Sequence, residues 1–144
     1  EFIVDCAKVG ISGLIIPDLP FEENCSLAKK CAKLGIALVP LISVTTGHRA
    51  KKILKHASGF VYMIASLGVT GSKQSPEDRL KELAKNIKKI SSLPVAVGFG
   101  VRSNEDVKRL RSFCDGVIMG TVLVQASKNK SVSKLNALIS KLFA

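Results

Sequence analysis

"VAVGFGVRSNEDV", residues 95–107, joins an apolar run to a Gly-Phe-Gly turn and then to a capped helix start. Val95 to Val97 are β-branched or small, and the run ends at Gly98. Ser103 followed three residues later by Asp106 is the pattern in which a cap hydroxyl and a third-position carboxylate satisfy the first free N–H groups of a helix. The next unit repeats the plan: "DGVIMGTVLV", residues 115–124, is again an apolar run, a glycine, and a residue suited to a helix start. Glycine lets a backbone approach a ligand closely, and bare N–H groups at a helix start attract anions. Two consecutive strand–glycine–helix units therefore read either as simple chain reversals or as the two jaws of a phosphate clamp, with Thr121 capping a short helix.

Working outward, the same unit recurs along the whole chain. Apolar β-type runs fall at 13–17, 37–42, 60–64, 94–99 and 116–120. Their apolar character is continuous rather than alternating, which predicts strands buried on both faces, as in parallel sheets. A helical stripe follows each run: Leu27, Ala28, Cys31 and Leu34; then Ala50, Ile53, Leu54 and Ala57. In "SPEDRLKELAKNIKKI", Ser75 is the cap, Pro76 suits the first helical position, Asp78 completes a capping box, and Leu80, Leu83, Ala84, Ile87 and Ile90 form the stripe. "SVSKLNALISKLF" closes the chain as an amphipathic helix. Strict β-α alternation predicts an α/β fold with a parallel sheet and one domain over 1–144.

Composition narrows the class. A hydrophobic content of 47% over 144 residues fits a folded globular domain. No apolar run approaches the roughly 20 residues of a membrane span, and "EFIVDCAKVG" lacks the basic-then-apolar order of a secretory signal. The absence of an initiating Met reads as a fragment. Cys6, Cys25, Cys31 and Cys114 show no metal-ligand spacing, so no metal is expected and free thiols of a cytoplasmic protein are. The net charge of +11 resides largely in "KKILKH", "KELAKNIKK" and "KNKSVSK", on polar helix faces, and one Tyr with no Trp offers little surface for stacking bases. Neither nucleic acid nor membrane is the expected partner. The charge favours an anionic small substrate through long-range attraction.

Ligands of parallel α/β folds collect at the carboxyl ends of strands. Those ends are "PDLP" (17–20), "SVTTG" (43–47), "ASLGVTG" (65–71), "GFGV" (98–101) and "MGTV" (119–122). Asp18 stands between two prolines and is either a helix-cap carboxylate or an exposed functional group. Tyr62 is either core packing or a pocket wall. Thr70 lies in the long segment before Ser75 and either stabilises a turn or belongs to a lid over the site.

In order, "GLIIPDLPFEE", "GFVYMIASLGVTG", "LPVAVGFGVRSNEDV" and "DGVIMGTVLV" resemble the α subunit of tryptophan synthase, in register over the whole chain. The resemblance implies a (β/α)8 TIM barrel that cleaves indole-3-glycerol phosphate to indole and glyceraldehyde 3-phosphate, a lyase step of tryptophan biosynthesis. It implies an α2β2 heterotetramer whose β subunit carries pyridoxal phosphate, with no cofactor in this subunit. By motif, Gly71, Gly100, Gly120 and Thr121 correspond to positions that hold the substrate phosphate, Thr121 standing where the family usually has Ser. Tyr62 and Phe99 correspond to the indole pocket, Thr70 to the lid threonine, and Asp18 to an aspartate near the β-subunit face. "SLGVTG" departs from the family pattern at Ser66, where an arginine or a Val-Thr pair is usual.

The family's general acid/base glutamate and its aspartate partner lie in an "E-L-G-[IL]-P-[FY]-S-D-P" segment with no counterpart here, so no catalytic residue is assigned in this chain. The match runs from the helix before the family's fourth strand to its eighth helix, predicting the C-terminal five β/α units of the barrel. Three other readings stand beside it: another phosphate-binding barrel such as a sugar-phosphate epimerase, a non-catalytic phosphate-ligand binder that regulates a β subunit, and a basic nucleic-acid binder.

Overall fold

The computed structural model describes residues 1–64, 75–128 and 131–143. Among them the elements run α1 (Phe2–Lys8), β1 (Gly13–Ile15), α2 (Phe21–Lys33), β2 (Ala37–Val39), β3 (Leu41–Ser43), α3 (Arg49–Leu54), β4 (Val61–Ile64), α4 (Pro76–Ile90), β5 (Val95–Gly98), α5 (Asn104–Arg111), β6 (Gly116–Val117), α6 (Thr121–Ser127) and α7 (Val132–Phe143). Every strand pair is parallel, and within two sheets the strands follow sequence order: β1 with β2, and β3–β4–β5–β6. A doubly wound sheet would reverse its order at a switch point. Sequential addition without reversal is the arc of a β/α barrel.

The run at 37–42 is expected as one strand and is found as two. Pro40 has no N–H and ends the ladder toward β1. Its carbonyl still accepts from Tyr62 N at 2.9 Å, so the chain passes directly into β3 and the pairing with β4. The last strand is also shorter than expected, with Ile118 N donating to Val97 O at 2.8 Å just beyond it.

Burial alternates along the strands, contrary to the expectation of two equally buried faces. Ile42, Val61, Met63, Val95 and Val97 are fully buried and form one cluster with Leu80, Ala84 and Ile87 of α4 and Val107 and Leu110 of α5. Full burial of each such side chain is worth roughly 1.5–3 kcal/mol, so this cluster dominates the fold. The opposite face carries Leu41, Tyr62 and Ala96, all half-buried and in register with one another. A smaller cluster of Ile3, Cys6, Cys31 and Ile36 joins α1 to α2.

The helix starts follow their capping chemistry. Ser103 Oγ accepts from Asp106 N at 3.2 Å while Asp106 Oδ2 accepts from Ser103 N at 3.1 Å and from Arg102 N at 3.0 Å. In α4 only half the expected box forms. Ser75 Oγ accepts from Asp78 N at 3.1 Å, but its hydroxyl donates to the Asp78 carboxylate at 2.7 Å instead of leaving that carboxylate for the cap N–H. Two stripe residues end outside the core: Leu34 is 41% exposed and Ile90 is 45% exposed. Each stands at the C-terminal end of its helix, where the packed face has run out.

Candidate functional site at the strand ends

Tyr62 of β4, the end of β5 and the residues that follow β5 and β6 line one cavity of about 420 Å³. Tyr62, Gly98, Phe99, Gly100, Gly120 and Thr121 line it, with Arg102, Met119 and Gln125 among the remaining wall. Sequence register explains why. Tyr62 lies opposite Ala96, and Gly98 is two residues further on the same face of β5, so Tyr62 reaches its diagonal neighbour across the strands. Its ring occupies the place of a side chain at Gly98: a Cβ there would lie 2.7 Å from the Tyr62 hydroxyl and 2.9 Å from Cε2. Glycine at 98 is required by that approach.

Gly100 turns the chain out of β5 with φ +39, and a Cβ built there meets nothing within 4 Å. The backbone is thus uncovered at the point where the strand gives way to the α5 cap. On the other wall, Gly120 is the N-cap of α6, and its carbonyl accepts from Leu123 N and Val124 N, each at 3.0 Å. The sequence places Thr121 as the cap; the structure makes it the first helical residue, with no side-chain cap bond. The small Gly120 takes the cap position, leaving the exposed Thr121 at the pocket. The N–H groups of Thr121 and Val122 have no acceptor within the helix, as in any first turn.

Of the expected site residues, the structure brings together Tyr62, Phe99, Gly100, Gly120 and Thr121. Thr70 and Gly71 lie outside the described residues. Asp18 stands apart, exposed in the turn after β1. It does not cap α2, whose N-cap is Pro20 with no side-chain cap bond. Sequence reasoning missed Arg102 and Gln125. Gln125 was detectable as the residue one turn beyond Thr121, and Arg102 as a cation directly after the glycine turn.

Among the described residues, the pocket wall carries no carboxylate and no imidazole. The carboxylates held below their usual range lie elsewhere. Asp106 is lowered first by the Arg102 and Ser103 N–H groups, and Asp115 by the hydrogen bond from Lys88 and then the Val95 N–H. The wall therefore offers backbone and hydroxyl donors, one guanidinium, a side-chain amide and two aromatic rings. That set has the chemistry to hold an anion attached to a flat apolar group. No group of three or more His, Cys, Asp or Glu side chains suited to a metal occurs among the described residues.

A parallel, sequentially ordered β/α arc with its pocket at the strand carboxyl ends defines a small-ligand β/α-barrel protein. Comparison with known proteins narrows this. The family model described as tryptophan synthase alpha chain matches residues 1–142. The tryptophan synthase alpha chain of Campylobacter jejuni subsp. doylei is 44% identical over 144 residues, 99% of this chain and 58% of that relative. That of Methanocaldococcus jannaschii is 43% identical over 126 residues, 87% of this chain and 45% of the relative. The solved tryptophan synthase subunit alpha from Campylobacter jejuni superposes with TM-score 0.88 at 43% identity, over 99% of this chain and 58% of that one. A tryptophan synthase complex from Pyrococcus furiosus gives TM-score 0.78 at 29% identity, over 98% of this chain and 56% of that one. The chain belongs to the tryptophan synthase alpha chain family, and its fold is the C-terminal part of that family's (β/α)8 barrel. It spans a little over half the length of the Campylobacter relatives it matches.

Proposed function

We propose that these residues form the substrate-holding part of an alpha chain that cleaves indole-3-glycerol phosphate to indole and glyceraldehyde 3-phosphate, a lyase step in tryptophan biosynthesis. The convergence of the Gly100 turn and the start of α6 on one pocket walled by Tyr62 and Phe99 carries the reading. In it the phosphate sits against Gly100, Gly120 and Thr121, joined by Gly71, while the indole ring lies between Tyr62 and Phe99 and Thr70 closes over it. A glycine turn costs the phosphate no steric clash, and free N–H groups donate to its oxygens without bringing a counter-charge that must be desolvated.

Bond cleavage requires positioned proton donors and acceptors. The described wall supplies neither a carboxylate nor an imidazole, so these residues bind and orient while the acid/base pair belongs to the rest of an alpha chain. The proposed partner is a β subunit in an α2β2 assembly, which carries pyridoxal phosphate; this subunit needs no cofactor of its own. A solved relative at TM-score 0.81 is described as a tryptophan synthase α2β2 complex from Pyrococcus furiosus. The exposed Asp18, at the carboxyl end of β1, is the proposed contact with that partner. A cytoplasmic location fits four free thiols and the finding that no described helix is long and apolar enough to cross a membrane.

The test pairs this chain with the N-terminal segment of the Campylobacter jejuni relative that precedes the match. The paired protein should release indole from indole-3-glycerol phosphate, and the 144-residue chain alone should not. Gly100→Asp should raise KM at least roughly tenfold, because like charges at contact repel by several kcal/mol in a partly dry site. Gly100→Asn, which keeps the size and the backbone conformation, should be much milder. Equal KM values for Gly100→Asp and the parent protein would remove the phosphate from this turn. Turnover by the chain alone would place the acid/base groups within these residues.

A further inference from the structure

On the helix side of the arc, away from the strand-end pocket, α3 and α4 leave a cavity of about 720 Å³ between them. Such a volume is in the range of small-molecule sites, roughly 300–1,000 Å³. Its floor is apolar: Val44, Ala50, Leu83, Ile87 and the 45% exposed Ile90. Arg79 lines it, and Arg79 Nε is buried with no hydrogen-bond partner. The remaining charged groups on the wall are Lys51, Lys89, the imidazole-bearing His48 and one acid, Glu82.

A buried cationic donor left without an acceptor is costly, more so than a neutral one. Arg79 sits on the same stripe as Leu83, Ile87 and Ile90, at spacings of four, eight and eleven residues. That stripe is about 16 Å long at 1.5 Å per residue. An arginine's two terminal nitrogens form a fork that fits both oxygens of a carboxylate. The three cations outnumber Glu82 even with His48 neutral, so the cavity favours an anion; its floor favours an apolar body.

We propose that the α3–α4 cavity is a binding site for an amphiphilic carboxylate, with the carboxylate on the Arg79 fork and an apolar body of about 10–14 Å along Leu83, Ile87 and Ile90. The site is separate from the strand-end pocket and does not depend on what that pocket binds. It shares no lining residue with it.

Octanoate is the probe, titrated into the 144-residue chain at low millimolar concentration by calorimetry, with octanol and octylammonium as matched chains lacking the carboxylate. Octanoate should bind at least tenfold more tightly than either. Arg79→Gln should weaken octanoate at least tenfold and leave far-UV circular dichroism unchanged, and Ile90→Ser should weaken it several-fold. Binding of octanol as tight as that of octanoate, no loss in Arg79→Gln, or no saturable octanoate binding each overturns the site. Survival of octanoate binding in Gly100→Asp is expected. Its loss there would move the ligand to the strand-end pocket.

Discussion

Replacing Asp115 with alanine removes one carboxylate that ties three elements together. Asp115 precedes β6; its Oδ2 accepts from Val95 N at 2.8 Å, and its Oδ1 accepts from Lys88 Nζ of α4 at 2.8 Å. Asp115 N in turn donates to Val95 O at 2.8 Å, so the side chain extends the β5–β6 ladder by one bond. The two contacts differ in worth. Val95 is fully buried, and a buried N–H stripped of its acceptor costs about 1–3 kcal/mol. The Lys88–Asp115 pair has side chains 43% and 45% exposed, and such pairs contribute only about 0–1 kcal/mol. Asp115→Ala should therefore cost about 2–3 kcal/mol in urea denaturation, Lys88→Ala no more than about 1, and Asp115→Asn, which keeps an acceptor for Val95, about 1. The pH dependence follows from the same contacts. Lys88 and the Val95 N–H lower the folded pKa of Asp115. Its charged-state stabilisation is then complete above the unfolded value of about 3.9 and fades as pH falls through the lower folded value. The gap between parent and Asp115→Asn should close below about pH 4. If Lys88→Ala costs as much as Asp115→Ala, the ion pair and not the backbone bond holds this corner, and the reasoning fails.

Other outcomes follow from single contacts. Gly98→Ala should push the Tyr62 ring aside, since the new methyl would stand 2.7 Å from its hydroxyl. Tyr62 is the sole tyrosine and there is no tryptophan, so near-UV circular dichroism reads that movement directly; an unchanged tyrosine band would refute the packing. Ser103→Ala should cost α5 about 1 kcal/mol and Asp106→Ala more, because Asp106 accepts from two backbone N–H groups; equal thermal shifts would contradict this. Burial pushes the Cys114 thiol up to about 11 and also raises Cys31, whereas Cys25 is exposed. Iodoacetamide near pH 8 should therefore label Cys25 first and reach Cys31 and Cys114 only on unfolding, as mass spectrometry would show; early labelling of Cys114 would count against its burial.

The sequence by itself determined the order of elements, the parallel class, the capped start at Ser103 and the stripe of α4. These are local matters: 3.6-residue periodicity, cap chemistry and short β-branched runs act within a few residues. It also singled out Gly100 and Gly120 as glycines closing a strand before a helix, while Tyr62 and Phe99 entered as pocket residues through the family resemblance. The tertiary structure alone decided the rest. Pro40 splits its strand only because β1 and β4 lie on opposite sides of it. Thr121 yields the cap to Gly120 because the path out of β6, rather than cap propensity, sets where α6 begins. Gly98 is explained by Tyr62, 36 positions away in the chain yet its diagonal neighbour once β4 and β5 pair. Ile90 reads in the sequence as one more stripe residue. Only the tertiary packing leaves it exposed at the end of α4 and Arg79 Nε buried without a partner. Contacts between elements carry no periodicity of their own, so nothing in the local pattern announces them.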